Sequence, residues 1–293
     1  MDRDSLRQVR RFNRLVTRRI GVLGDDYLGR GRPLGEARLL FETGVDGAGV
    51  GELRQRLGLD SGYMSRLLRA LERQGLLRVT PAANDRRARR VSLTEAGLAE
   101  VAAYDGLSDD LARSLVEPLD GRQRKRLVAA MAEVERLLNA SAVTLAVEPA
   151  GSADAQACIR QYLAELAQRF DTGYDPASAA PAGAEQFDPP KGWFVVARLD
   201  GRPVGCGGLK QPEPGVGEIK RLWTDPAARG LGIGRRVLDR LEDIARSQGM
   251  RSVRLDTNRA LHEAQALYLA AGYEEVARFN DDPYAQQWFG KSL

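Results

Sequence analysis

Residues 229–236 read Arg-Gly-Leu-Gly-Ile-Gly-Arg-Arg, and three alternate glycines framed by arginines point first to phosphate chemistry. Strand-like Ile219-Lys220-Arg221-Leu222-Trp223 and the turn signal Asp225-Pro226 precede them, and Val237, Leu238, Leu241 and Ile244 follow at helical spacing. A strand, a glycine loop and a helix N-terminus are therefore predicted in succession. Gly230, Gly232 and Gly234 let the backbone approach a ligand with no Cβ in the way, and the first amides of the helix have no partner within it. The dinucleotide fingerprint GxGxxG would need glycine where Arg235 stands, and the P-loop pattern GxxxxGK is absent.

What the spacing fits is Arg229-x-x-Gly232-x-Gly234. On those residues the stretch resembles the pyrophosphate loop of the GNAT superfamily of N-acyltransferases, which use acetyl-CoA as co-substrate. The resemblance extends over residues 143–293. It implies that Arg229, Gly230, Leu231, Gly232, Ile233, Gly234 and Arg235 receive the phosphates, the arginines supplying charge, and that backbone groups of Leu222, Trp223 and Thr224 hold the cofactor arm.

Acetyl transfer to an amine requires a deprotonated amine, a polarised thioester carbonyl and a proton for the departing thiolate. A lysine-like amine titrates near ~10.4 and a tyrosine near ~10, so a carboxylate, or a water it holds, suits the base and a tyrosine hydroxyl the acid. Asn258 and Leu267-Tyr268-x-x-x-Gly272-Tyr273 match the Asn, Leu-Tyr and Gly-aromatic sequence of the same family. The match puts Tyr268 at the general acid; the competing reading is a core tyrosine on an apolar helix face. Asn258 either binds the pantetheine arm or caps the following helix. The resemblance makes Glu218 the base, against a surface ion pair with Lys220 or Arg221.

Charge separates the rest of the chain. The total of +4 conceals 20 Lys and Arg against 11 Asp and Glu in residues 1–90, a net of +9, and a net of −5 beyond them. A basic N-terminal part points to nucleic acid, unless the arginines reflect a GC-rich genome. Within it, Val50–Leu57 and 62–74 read as helix, tight turn, helix. Met64, Leu67, Leu68 and Leu71 form the buried face of the second helix, leaving Ser61, Tyr63, Ser65, Arg66 and Arg69 outside. Residues 76–80 and 89–94 follow as a hairpin around Asp85-Arg86-Arg87, then Leu93, Thr94 and Gly97. That order resembles the winged helix of the MarR family of transcriptional regulators over roughly residues 5–140. It implies a DNA-reading helix at 61–74, a wing placing Arg86 or Arg87 in the minor groove with Asp85 orienting an arginine, and a homodimer on a palindromic double-stranded operator.

The elements that must position these groups are read from periodicity. One long first helix is expected over 5–29, a second over 35–43, and further helices over 95–116 and 120–139. A boundary near residue 141 divides a mainly α winged helix-turn-helix domain, 1–141, from an α/β mixed-sheet domain, 142–293. In the latter, a helix at 152–170 and a long loop at 171–192 precede strands 193–199 and 204–209, joined by Asp200-Gly201. Strand 216–223, helix 234–248, strand 251–256, helix 261–271 and strands 274–279 and 286–289 complete it.

Cys158 and Cys206 are far apart in sequence and His262 is the sole histidine, so neither a disulfide framework nor a metal site is signalled, and His262 is expected at the surface. With no apolar run of about 18 residues and no signal-peptide core, a soluble cytoplasmic protein without a membrane partner is expected. Two functions compete. One is a regulator that also acetylates an amine, on a small molecule or a protein lysine; the other is a regulator whose second domain senses acetyl-CoA or another ligand without turnover.

Overall fold

The computed structural model describes residues 2–82, 85–170, 173–175 and 183–293; the side chains of residues 85–87 and 184 lie outside the described set. The chain divides into two compact units, Met1–Ala129 and Ala130–Leu293. The division falls inside one helix, earlier than residue 141, because the last turns of that helix bond to the second unit: Arg236 donates to the carbonyls of Ala140 and Val143.

In the first unit, α1 spans Arg3–Arg19, with Asp2 accepting from the amides of Asp4 and Ser5 at its start. The expected helix to residue 29 stops ten residues early. Gly21 takes a positive φ, and Gly24-Asp25-Asp26 supplies no helix-forming run, so the chain turns and forms only a 3₁₀ turn at Tyr27–Gly29. Then come α2 (Leu34–Thr43), β1 (Ala48–Gly49), α3 (Val50–Arg56), α4 (Ser61–Arg73), β2 (Leu77–Ala82), β3 (Asp85–Leu93), α5 (Glu95–Val116) and α6 (Gly121–Ala142), which ends in the second unit. The two-residue β1 pairs antiparallel with Val91 and Arg90 of β3, making a three-stranded sheet of order β1-β3-β2. A strand that short carries no alternation to read.

Leu39, Leu40, Leu53, Met64 and Leu71 are sealed in one core with Leu77 and Val91; truncating such a residue to alanine costs about 2–5 kcal/mol. Thr94 closes the wing onto α5. Its hydroxyl donates to the Gly75 carbonyl and accepts from the Gly97 amide. A Cβ at Gly97 would lie 1.9 Å from the Leu76 carbonyl oxygen, so this close approach admits only glycine.

The second unit is a seven-stranded sheet of order β4-β5-β6-β7-β8-β10-β9, built from β4 (Thr144–Glu148), β5 (Gly192–Leu199), β6 (Arg202–Glu213), β7 (Val216–Thr224), β8 (Ser252–Thr257), β9 (Glu274–Glu275) and β10 (Gln287–Ser292). Neighbours are antiparallel except β7 and β8, which α8 (Ile233–Ser247) connects. Asp200 and Gly201 both take positive φ, as a two-residue hairpin turn requires. Strand alternation sends Phe194 and Val196 toward α7 (Ala153–Arg169) and Val195 and Ala197 toward the core that α8 shares, so the middle of β5 is buried on both faces. α9 (His262–Ala270) precedes β9, which has two residues rather than the expected six.

Two features of β7 open the sheet. It pairs with β8 only over Val216–Glu218, although both strands continue, so they part beyond Glu218 and Arg254. On its other edge Cys206 opposes Trp223 and Gly208 opposes Lys220, leaving Arg221 and Leu222 opposite Gly207 alone. That is a β-bulge, and it turns strand backbone toward the cleft.

Candidate functional site

Two cavities lie along this cleft. The larger, of about 510 Å³, is lined by Leu222, Trp223 and Thr224 of β7, by the loop residues Arg229, Gly230, Gly232, Ile233, Gly234 and Arg235, and by Glu165 and Arg169 of α7. Gly232 is the N-cap of α8 with φ 72°, and a Cβ there would meet nothing within 4 Å, so the space it faces is open. The first intrahelical bond runs from the Arg236 amide to the Gly232 carbonyl at 3.0 Å. The amides of residues 233–235 therefore face out from a helix start with no intrahelical acceptor, as anion binding requires. The residues present fit the pyrophosphate and arm of an acyl-CoA. Leu231 completes the loop and packs against the core.

The loop's arginines are held. Arg229 Nη2 lies 2.6 Å from each Glu165 carboxylate oxygen, and Trp223 Nε1 donates to the same group at 2.9 Å. Burial works to raise the Glu165 carboxyl, but hydrogen bonds from Arg229, Arg169 and Trp223 outweigh it and keep it below the ordinary carboxylate range. Arg235 pairs with Asp239 at 2.7 Å and reaches the Ala270 carbonyl. Arg136, in the last turns of α6, donates to the Gly230 carbonyl at 2.9 Å.

The smaller cavity, of about 120 Å³, continues from the first through shared walls at Tyr162, Leu166, Leu222, Leu261 and Ala264. Tyr268 and Asp256 line it. Tyr268 is 5% exposed, and burial pushes its hydroxyl well above the ordinary tyrosine range, with the negative charge of Asp256 adding to the effect. It stays protonated at neutral pH, the state a proton donor needs. Asn258 also lines this cavity rather than the larger one. It ties the loop before α9, its Oδ1 accepting from Ala260 N and its Nδ2 donating to the Tyr284 carbonyl.

Glu218 lines neither cavity. It is 4% exposed and lies within 3.0 Å of Lys210, 3.5 Å of Lys220 and 3.4 Å of Arg254. Lys220 links it to Asp256, whose Oδ1 lies 2.5 Å from Nζ. Asp256 was not singled out from the sequence, although an acid ending a strand two residues before Asn258 was a signal. Glu165 and Arg169 gave none, since only the fold brings α7 to a loop some 60 residues away.

In the other unit, Ser61, Ser65, Arg66 and Arg69 are exposed along α4, which Asp60 caps through the Tyr63 amide. Tyr63 is half-buried; its ring packs toward the core and carries the Arg66 guanidinium 5.5 Å from its centroid. Arg86 and Arg87 fall where only the β3 backbone is described.

The profile of the Acetyltransferase (GNAT) family matches residues 159–273, and that of the MarR family residues 30–88. Among curated proteins, the chain is 42% identical to the IAA acetyltransferase of Azospirillum brasilense over 92 residues, 31% of this chain and 59% of that protein. It is 38% identical to the mycothiol acetyltransferase of Beutenbergia cavernae over 95 residues, 32% of each chain. It therefore spans less than two thirds of the length of either. It is 37% identical to the N-alpha-acetyltransferase RimI of Mycobacterium tuberculosis over 128 residues, 42% of this chain and 75% of that protein. Among the described residues no helix is long and apolar enough to cross a membrane. By the loop, the parted strands and these matches, the chain belongs to the GNAT acetyltransferase family in its C-terminal half and carries a MarR-family domain in its N-terminal half.

Proposed function

We propose that the protein binds operator DNA as a homodimer and transfers an acetyl group from acetyl-CoA to an amine. The observation that carries the transfer reading is the arrangement of the two cavities: outward helix amides at one end, and a buried, protonated Tyr268 beside Asp256 at the other. Bound acetyl-CoA supplies the thioester. The chain's part is to hold the phosphates on residues 229–235 and the arm along the backbone of Leu222 to Thr224, and to bring the amine against Asp256. The N–C bond forms as the C–S bond breaks. One amine proton leaves toward the carboxylates Asp256 and Glu218, linked by Lys220, and Tyr268 donates one to the departing sulfur, giving an amide and free CoA.

The DNA-binding reading rests on the exposed Ser61, Ser65, Arg66 and Arg69 of α4 together with the basic charge of residues 1–90. Arg86 and Arg87 are proposed to serve the wing. The dimer reading rests on apolar side chains left in solvent at helical spacing: Leu6, Val9, Phe12 and Leu15 on α1, each more than 40% exposed, and Met131 and Leu138 on α6.

The engagement of Glu218 by three cations favours a second reading, a domain that senses acetyl-CoA without turnover. A screen of amine acceptors with acetyl-CoA, following free CoA, decides between them. Release with at least one amine is expected; binding of acetyl-CoA with no release across the screen establishes the sensor.

A further inference from the structure

The phosphate segment is bracketed by bonds to the last turns of α6. At its start, Arg136 Nη1 donates to the Gly230 carbonyl at 2.9 Å; just past its end, Arg236 in the first turn of α8 donates to the carbonyls of Ala140 and Val143 at 3.0 and 2.7 Å. Glu133, one turn earlier on α6, aims the Arg136 guanidinium by accepting from its Nε and Nη2 at 2.6–2.9 Å. Acetyl transfer does not require this arrangement, since a glycine loop and a helix N-terminus present their amides without a second helix behind them.

One peptide group carries the bond from Arg136 to the ligand's side of the loop. The Gly230 carbonyl and the Leu231 amide belong to the same trans peptide and point in opposite directions, and among the described residues no acceptor takes that amide. An anion that accepts from the Leu231 amide polarises the peptide and strengthens the bond that Arg136 makes to its oxygen, and the reverse holds. Occupancy of the loop therefore acts on α6.

α6 is one uninterrupted helix of 22 residues that begins in the first unit and ends in the second. The turns that hold the loop also carry Met131, Leu137 and Leu138, each at least 50% exposed, on the helix proposed to make the homodimer contact. In a twofold dimer that contact fixes the spacing of the two reading helices. Acetylation of the DNA-binding cations offers no other route, because residues 1–124 contain no lysine whose charge it could remove. A link between the acetyl donor and DNA has to run through occupancy of the loop.

We propose that acetyl-CoA binding and DNA binding are coupled through α6, with Arg136 as the positioning residue that joins the phosphate loop to that helix. This rests on the acetyl-CoA site and the operator-binding dimer proposed above and adds their regulation, which holds with or without turnover.

The test titrates acetyl-CoA calorimetrically into the full-length protein, alone and saturated with a duplex that the protein selects from a random-sequence pool. Fluorescence anisotropy follows the same duplex, labelled, with and without acetyl-CoA. The two affinities should change by the same factor, about fivefold or more in either direction, because linkage is reciprocal. Arg136→Ala should still bind each ligand alone while the factor falls toward one, an effect that a merely structural side chain would not produce. Arg136→Lys, which restores a single donor, should recover part of the factor. A factor of one in the wild type, with both ligands bound, overturns the coupling and leaves the acetyl-CoA and DNA readings standing. An unchanged factor in Arg136→Ala overturns the route through α6. Failure to bind acetyl-CoA, or to bind any duplex with or without it, removes the corresponding reading and the coupling with it.

Discussion

Arg229, the first residue of the phosphate-loop pattern, gives one amino group to both carboxylate oxygens of Glu165, at 2.6 Å each. Glu165, which Arg169 also engages at 3.1 Å, thus places a negative charge in the cavity proposed to take the polyanionic acetyl-CoA. At contact distances Coulomb repulsion outweighs a hydrogen bond that a neutral acceptor can still provide. Glu165→Gln keeps an acceptor for Trp223 and Arg229 and removes the charge. Acetyl-CoA affinity should rise several-fold at low salt, and the gain should shrink as salt is added. Trp223 lines the same cavity, so its fluorescence reports the titration. A weaker complex would mean that Glu165 acts chiefly by positioning Arg229.

The glycine loop was legible because its requirements are local: positive φ at Gly230 and Gly232 and a helix that begins at once. The Asp200-Gly201 turn signal between 193–199 and 204–209 likewise gave the hairpin, and the apolar spacing in 61–74 gave α4 and its exposed face. What could not be read was which strands part. The cleft depends on β7 leaving β8 after Glu218 and on a bulge at Arg221, and both are pairing events between distant segments. Glu218 came from the family resemblance, whereas the pairing that sets Asp256 of β8 beside Lys220 of β7 is visible only in the fold. The first helix was overextended because the apolar stripe continues past Gly21, where backbone preference ends the helix.

On α4, Arg66 is exposed with its guanidinium 5.5 Å from the centroid of the Tyr63 ring, a placement consistent with the base contact proposed for it. Arg66→Ala should weaken operator binding by about 1–3 kcal/mol and relax discrimination at one position of each half-site. Arg69→Ala, if that residue meets phosphate, should weaken all sequences alike and lower the slope of log K against log salt. Fluorescence anisotropy on an operator and a scrambled duplex at two salt concentrations separates the two. Salt-insensitive binding would contradict a phosphate-contacting interface altogether.

Glu100 of α5 holds the segment before α2 in place through Arg30 and Arg32, each at 2.6 Å. The Arg30 hydrogen bond leads in holding its carboxyl below the usual range; burial opposes it, and Arg32 adds to the lowering. A depressed folded pKa gives stability that is fully present above the unfolded value, about 4.3, and is lost as pH falls through the folded one. Glu100→Gln should therefore cost about 1–2 kcal/mol at neutral pH, discounted for the partly exposed Arg30, with the difference narrowing below pH ~4. Trp193, Trp223 and Trp288 all lie in the second unit. A circular-dichroism transition that tryptophan fluorescence does not follow isolates the first unit, and a pH-independent difference would rule out the carboxylate as its source.

Tyr268→Phe deletes one hydroxyl from the wall of the smaller cavity and leaves the ring against Tyr273 and Phe289. The larger cavity does not include Tyr268, so acetyl-CoA should bind at near wild-type affinity. If the hydroxyl protonates the departing sulfur, turnover should fall by about 10²- to 10⁴-fold, the range for a lost general acid, with KM for acetyl-CoA little changed. Burial raises the hydroxyl's pKa, so the wild type should show no alkaline loss from this group near ~10, where an exposed tyrosine titrates. Glu218→Gln should also lower turnover, and that loss should shrink at high pH as free amine becomes available. Replacing Gly232 with aspartate acts at the other end: a side chain at φ 72° and a negative charge beside the open amides should abolish acetyl-CoA binding itself. Stopped assays of CoA release, paired with calorimetric binding for each variant, separate the two ends of the cleft. Wild-type turnover in Tyr268→Phe would remove the tyrosine from the chemistry.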